Sequence, residues 1–218
     1  MKTKQKKGMV KRKTKADIFI IESLEFSDEV DNTLEGKFLS HILHLGGKKP
    51  KYYYIRTEKE LKKVLNLFRQ SAYRYLHLSC HGSETSISTT LDSISFRKFG
   101  QLMRPYLRNK RLFISACSAA NSQLARNIIP SSGCISIIGP VTDVGFHDAA
   151  IIYASFYHLM FKKRASKMTR SDVTSILQKV ADTFGISLNY FSISRRYDFK
   201  GDRISPGKKM VRIYPVSK

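Results

Sequence analysis

A three-layer α/β/α domain, with helices over both faces of a mostly parallel sheet of about six strands, is what this sequence predicts. Short apolar runs rich in β-branched and aromatic residues alternate with segments whose apolar residues recur every three or four positions. The runs are apolar at consecutive positions, as strands buried on both faces require. With 218 residues, 42% of them hydrophobic, the chain is long enough to bury one sizeable core.

The elements follow in order. Residues 1–15 carry eight Lys/Arg and no acid, and are expected to be a disordered basic tail ahead of one domain spanning 16–218. Asp17-Ile18-Phe19-Ile20-Ile21 is a compact run suited to a buried strand. Leu34, Phe38, Ile42 and Leu45 fall on one helical face, which is expected to be the buried one, and Gly46-Gly47 ends the helix. Tyr52 to Ile55 predicts a second strand, and Leu61, Val64, Leu65 and Phe68 an amphipathic helix. Tyr73 to Cys80 and Arg111 to Ala116 predict the third and fourth strands. Between them a polar loop, Ser83 to Ser93, leads into a helix over Ile94 to Leu107. Cys134 to Ile138 reads as a fifth strand, closed by Gly139-Pro140. Ala149, Ile152, Tyr153, Phe156, Leu159 and Met160 repeat as a helix should. Thr169 and Asp172 form a capping-box pattern before a stripe of Val173, Ile176, Leu177, Val180 and Phe184, with Gly185 as the stop. Tyr190 to Ser194 and Met210 to Tyr214 are late strands.

Charge and cysteine usage bound the setting. The net charge is +22, and about +14 remains once the tail is set aside. Such a surface attracts polyanions or acidic partners, so nucleic acid is one candidate partner, although no helix-turn-helix, zinc-finger or aromatic-interleaved basic pattern accompanies it. Cys80, Cys117 and Cys134 are an odd number at spacings that fit neither a disulfide framework nor a CxxC metal site, which points to a reducing compartment. No apolar run has the length of a membrane span, and the first residues lack a signal-peptide core; a cytoplasmic location is expected. No histidine–carboxylate spacing suggests a metal site, no glycine-rich loop suggests a phosphate cofactor, and no cofactor is expected.

Chemistry is expected where strands end at the carboxyl edge of the sheet. Leu76-His77-Leu78-Ser79-Cys80-His81-Gly82 and Leu112-Phe113-Ile114-Ser115-Ala116-Cys117-Ser118 each end an apolar strand with a reactive side chain followed by small residues. If the strands are neighbours, His81 and Cys117 enter one crevice as general base and nucleophile. A helix beginning just after Cys117 would favour its thiolate through the helix dipole. The amides of Gly82 and Cys117 are the candidate oxyanion donors. Cys80 is one step out of phase with His81 and is expected in the core, as is Cys134; His77 reads as a satisfied sheet histidine.

The order His81-Gly82, then Ser115-Ala116-Cys117 36 positions on, then Ile137-Ile138-Gly139-Pro140-Val141-Thr142-Asp143, then a helix holding Phe156-Tyr157, resembles the caspase-hemoglobinase superfamily (clan CD cysteine peptidases). The resemblance covers roughly residues 16–165 and is nearest to the CHAT-type branch. It implies a caspase-like fold and a cysteine endopeptidase that cuts specific protein substrates through a Cys–His dyad. It further implies roles in bacterial defence or programmed cell death, and activation by a protein partner or oligomerisation. The caspase signature Gln-Ala-Cys is only half kept, as Ser-Ala-Cys. Relatives that cut after basic residues place an Asp where this chain has Ser115. Ser115, Asp143 and Asp148 are the candidate substrate-binding residues, and a basic P1 residue stays open. The alternative is a non-catalytic module of the same fold whose basic surface binds nucleic acid or an acidic protein. A serine hydrolase is disfavoured, because no G-x-S-x-G elbow is present.

Overall fold

The structure, a computed structural model, describes residues 14–194 and 207–213. The expected tail falls outside this range apart from its last two residues, and so does Tyr214 of the last strand. The elements are β1 (Lys15–Ser23), α1 (Phe26–Val30), α2 (Glu35–Leu45), β2 (Lys51–Tyr54), α3 (Glu58–Ser71), β3 (Tyr73–Gly82), β4 (Ser86–Ser88), β5 (Ser93–Ser95), α4 (Phe96–Met103), β6 (Arg111–Ser115), α5 (Ser122–Ser132), β7 (Ser136–Pro140), α6 (Phe146–Lys163), α7 (Arg170–Phe184), β8 (Leu188–Ser194) and β9 (Gly207–Ile213).

The sheet runs β2-β1-β3-β6-β7-β8-β9. The first five strands are mutually parallel, and β8 and β9 join antiparallel. Successive strand residues point to opposite faces, so each strand feeds two cores. Phe19, Leu76, Leu78 and Leu112 pack with α3, α4 and α5; Ile18, Ile20 and Phe113 pack with α2, α6 and α7. This is the three-layer arrangement the alternation of patterns predicts. Its main path has seven strands rather than six, because the late strands pair with β7 and with each other.

Five local expectations are corrected. The Ser83–Ser93 loop is a small hairpin, β4–β5, whose Ile87 and Ile94 pair and are both buried. The helix that follows starts only at Phe96, where Ser95 accepts a bond from the amide of Lys98. Cys134 precedes β7 instead of opening it, and it is buried as expected. In α2 the buried residues are Glu35, Gly36, Leu39 and Leu43, while Phe38 and Leu45 lie on the exposed side. Phe184, expected in the α7 stripe, is likewise partly exposed. The α7 start is as predicted: Thr169 Oγ1 accepts from the amide of Asp172.

Among the described residues no helix is long and apolar enough to cross a membrane.

Candidate active site

β3 and β6 are adjacent and parallel, with Ser79 in register with Ser115, so they end side by side at one edge of the sheet. His81 is the penultimate residue of β3, and Cys117 lies two residues beyond β6. Both line one cleft of about 300 Å³, together with Ser115, Asp143 and the segment leading into α6. Cys80 contributes to its wall but is buried with the α3–α5 core, and burial drives its thiol far up, out of nucleophilic range.

Small residues let the chain turn here. A Cβ on Gly82 would lie 2.9 Å from the Cβ of Ala119 and 3.2 Å from that of Ala116; one on Gly139 would overlap the Cβ of Ala120. The turn after Cys117 therefore packs directly over the ends of β3 and β7. Ser118 takes a left-handed φ of 50°, unusual for a residue with a side chain. Asn121 fastens the turn: its amide group donates to the carbonyls of Ser118 and Glu84, and its oxygen accepts from the amides of Gln123 and Leu124. α5 thus starts at Ser122, five residues past the thiol, which corrects the expectation of a helix springing from Ser118.

Cys117 is correspondingly not poised as a thiolate. Burial is the largest influence and raises its pKa; the nearby charge of Asp143 adds to the rise, while a backbone hydrogen bond at Val144 opposes it. The hydroxyl of Ser118 donates to Oδ1 of Asp143 at 2.8 Å, fixing that carboxylate beside the nucleophile candidate. Asp148 lies elsewhere. It lines a neighbouring cavity of about 360 Å³, which Asp143 also borders, and its Oδ2 stands 3.4 Å from Nε2 of the exposed His147.

Nε2 of His81 lies 2.7 Å from Oδ2 of Asp28, and the imidazole meets the ring of Phe146 edge to face, with centroids 5.1 Å apart. Asp28 is a residue the sequence reading missed. It sits on α1, just beyond the carboxyl end of β1, and its Oδ2 also accepts from the amide of Glu25 at 3.0 Å. The rule that points to the ends of β3 and β6 applies equally to the end of β1, and an acid there was the available signal.

Donor atoms of Glu25, Asp28 and His81 all lie within 4.8 Å of one another, so among the described residues these three could hold a metal ion. The direct His81–Asp28 contact accounts for their closeness without one.

The hairpin orients Gly82. Ser83 N donates to Ser86 O, which makes that pair a hydrogen-bonded one. The next pair, Gly82 and Ile87, is then of the non-hydrogen-bonded kind, and the Gly82 amide turns away from β4.

No protein-family model matches the sequence, and no curated protein does either. Solved structures do match. A secreted C11 cysteine protease from Bacteroides thetaiotaomicron, "iotapain", is 11% identical over 82% of this chain and 66% of its own length, with a TM-score of 0.53. This chain therefore spans about two thirds of that protein. Caspase-1 from Spodoptera frugiperda aligns over 89% of this chain and 88% of its own at 13% identity and a TM-score of 0.47. The separase of the Saccharomyces cerevisiae separase–securin complex aligns over 75% of this chain and 10% of its own, at 17% and 0.44. At such identities the likeness is one of architecture. A mostly parallel sheet with helices on both faces, together with the match to the C11 protease, gives this chain a caspase-like α/β/α fold.

Proposed function

We propose that the chain is a caspase-like cysteine endopeptidase in which Cys117 is the nucleophile and His81 its general base and acid. The observation that carries the proposal is a single cleft, at the ends of two adjacent parallel strands, lined by both side chains. With Nε2–H of His81 given to the Asp28 carboxylate, Nδ1 is the nitrogen left to accept the thiol proton. The Cys117 sulfur then adds to the peptide carbonyl. The amides of Gly82 and Cys117 bond the oxyanion, and the imidazolium returns its proton to the leaving amine. Water, deprotonated by the same ring, hydrolyses the acyl-enzyme. Asp28 acts as a positioning residue, holding the tautomer and the ring plane.

Asp143 and Ser115 line this cleft, and a carboxylate there suits a basic P1 side chain. Asp148, in the adjoining cavity, extends the acidic character past P1. A cation over Asp143 would also cancel one of the influences that keep the thiol protonated, so such a substrate would help to ionise its own nucleophile. The resemblance to the CHAT-type branch is what supports extending this reading to cleavage of specific cytoplasmic proteins in defence or cell-death pathways, with activation by a partner or by oligomerisation.

The test compares wild type with Cys117→Ala and His81→Ala on a peptide library biased to Lys or Arg at P1. Each substitution is expected to lower cleavage by about 10³-fold. Full cleavage by either variant ends the mechanism.

One observation favours a second reading. A thiol held up by burial fits a non-catalytic module whose basic surface binds nucleic acid or an acidic protein. Such a module would bind polyanions in a salt-dependent way and lose nothing on Cys117→Ala.

A further inference from the structure

Helix α2 is apolar on two sides. Gly36, Leu39 and Leu43 turn inward, while Phe38, Ile42 and Leu45 form a second row at i, i+4 and i+7. Phe38 is 43% and Leu45 85% exposed. Single exposed apolar residues are ordinary, but this row is continuous with two depressions in the same face. One, of about 230 Å³, lies between α2 and α6; the other, of about 390 Å³, spans α6 and α7. They share Ile42, Ala154 and His158, so together they form one broad trough along α6.

The charge of this trough has one sign. Among the described residues no carboxylate lines either depression, whereas Lys48 and Lys162 do. Lys48 is fixed in place, its ammonium 3.9 Å from the Phe161 ring centroid and 2.7 Å from the carbonyl oxygen of Ala165. The exposed side of α2 adds Lys37, His41 and His44.

We infer that this face seats an amphipathic α-helix of a second protein, its apolar stripe against Ile42 and Leu45 and its flanks acidic. Troughs between packed helices take a helix, whereas an added strand needs a free sheet edge, which this face does not offer. A second copy of the chain is disfavoured by charge, since it would bring a basic rim against a basic rim on proteins of net charge +22. α6 also links the face to the cleft: Phe146, at its first turn, packs on His81, and His158 lies about three turns further along. A helix docked there touches the element that supports the imidazole.

The site stands apart from the peptidase assignment, and its test uses the intact Cys117→Ala chain. The probe is a synthetic fluorescent amphipathic helix of about five turns, with a leucine stripe flanked by glutamates. Saturable binding is expected in fluorescence anisotropy. Leu45→Glu or Lys162→Glu in the protein should weaken it about tenfold or more, as should lysine in place of glutamate in the peptide. Both protein positions are exposed, and an unchanged thermal melt checks that the variants fold. Absence of saturable binding, or binding indifferent to Leu45→Glu, overturns the inference. So does self-association in sedimentation that Leu45→Glu abolishes, which would make the face a homodimer interface. Binding of phosphatidylserine vesicles, lost in Leu45→Glu, with none of the peptide would make it a lipid-facing surface and overturn it as well.

Discussion

His77 and His81 stand four residues apart on the same face of β3, and each meets a carboxylate carried by the segment that follows β1. For His77 the partner is Glu35, with Nε2 3.2 Å from Oε1, and Nδ1 is taken by the hydroxyl of Tyr157 at 2.9 Å. Both ring nitrogens are engaged, and histidine and glutamate are fully buried. Ser79 donates to the other oxygen of Glu35 at 2.6 Å, which completes a closed polar cluster beneath the sheet edge. For His81 the partner is Asp28, and the ring is 32% exposed in a cleft that also holds a thiol. A histidine–carboxylate pair is thus used twice along one strand. The inner copy is saturated and can only hold the fold together. The outer copy keeps one nitrogen without a partner among the described residues, and a thiol lines the same cleft. On the proposed mechanism, what separates structure from chemistry is an unfilled hydrogen-bonding position that opens to the cleft.

The largest expected effect breaks the inner pair. Glu35→Ala leaves the His77 and Ser79 groups buried without their acceptor and should cost about 3 kcal/mol. Urea denaturation reads it as a lower midpoint at unchanged slope. A loss below about 0.5 kcal/mol would mean the cluster is not the structural pin described here. Breaking the outer pair should do the reverse. Asp28→Asn is expected to lower turnover about 30-fold through loss of the preferred tautomer, with KM nearly unchanged and the denaturation midpoint hardly moved. A KM effect with turnover intact would instead place Asp28 in substrate binding.

How much of this was legible in the sequence follows from the kind of signal each part carries. β3 and β6 announce themselves as unbroken apolar runs, and His81 and Cys117 stand out because they end those runs. Asp28 carries no such mark. It lies on a helix of five residues with no buried side chain, so no periodicity exists to find, and its partner is 53 residues away. The hairpin β4–β5 hides for a similar reason: its short strands are serine on either side of one isoleucine. α2 misled in a different way, since it offers two apolar rows. The inner row is selected by a contact that only a glycine permits: a Cβ on Gly36 would sit 2.9 Å from Cγ2 of Ile20. Glu22 then anchors the helix start, accepting from the amides of Gly36 at 2.6 Å and Lys37 at 3.2 Å. Close approach of backbone to strand, and a buried acid capping a helix, are pairings between distant segments that a one-dimensional pattern does not encode.

The smallest expected effect sharpens the outer site further, because it concerns the Asp143 charge beside the thiol. The Asp143 carboxylate adds to the rise that burial imposes on Cys117, so Asp143→Asn should lower the thiol pKa. Alkylation by iodoacetamide proceeds through the thiolate, and its pH–rate midpoint should therefore move to lower pH. The gain at neutral pH is blunted, since a thiolate of lower pKa is a weaker nucleophile, and about threefold is expected. Cleavage of peptides with Lys or Arg at P1 should fall in the same variant, because the carboxylate that would receive the basic side chain is gone. The two readouts move in opposite directions only if one residue both holds the thiol protonated and receives P1. Slower alkylation, or a midpoint that stays put, removes the first of those roles. Undiminished cleavage after basic residues removes the second and moves P1 recognition to Asp148 or Ser115.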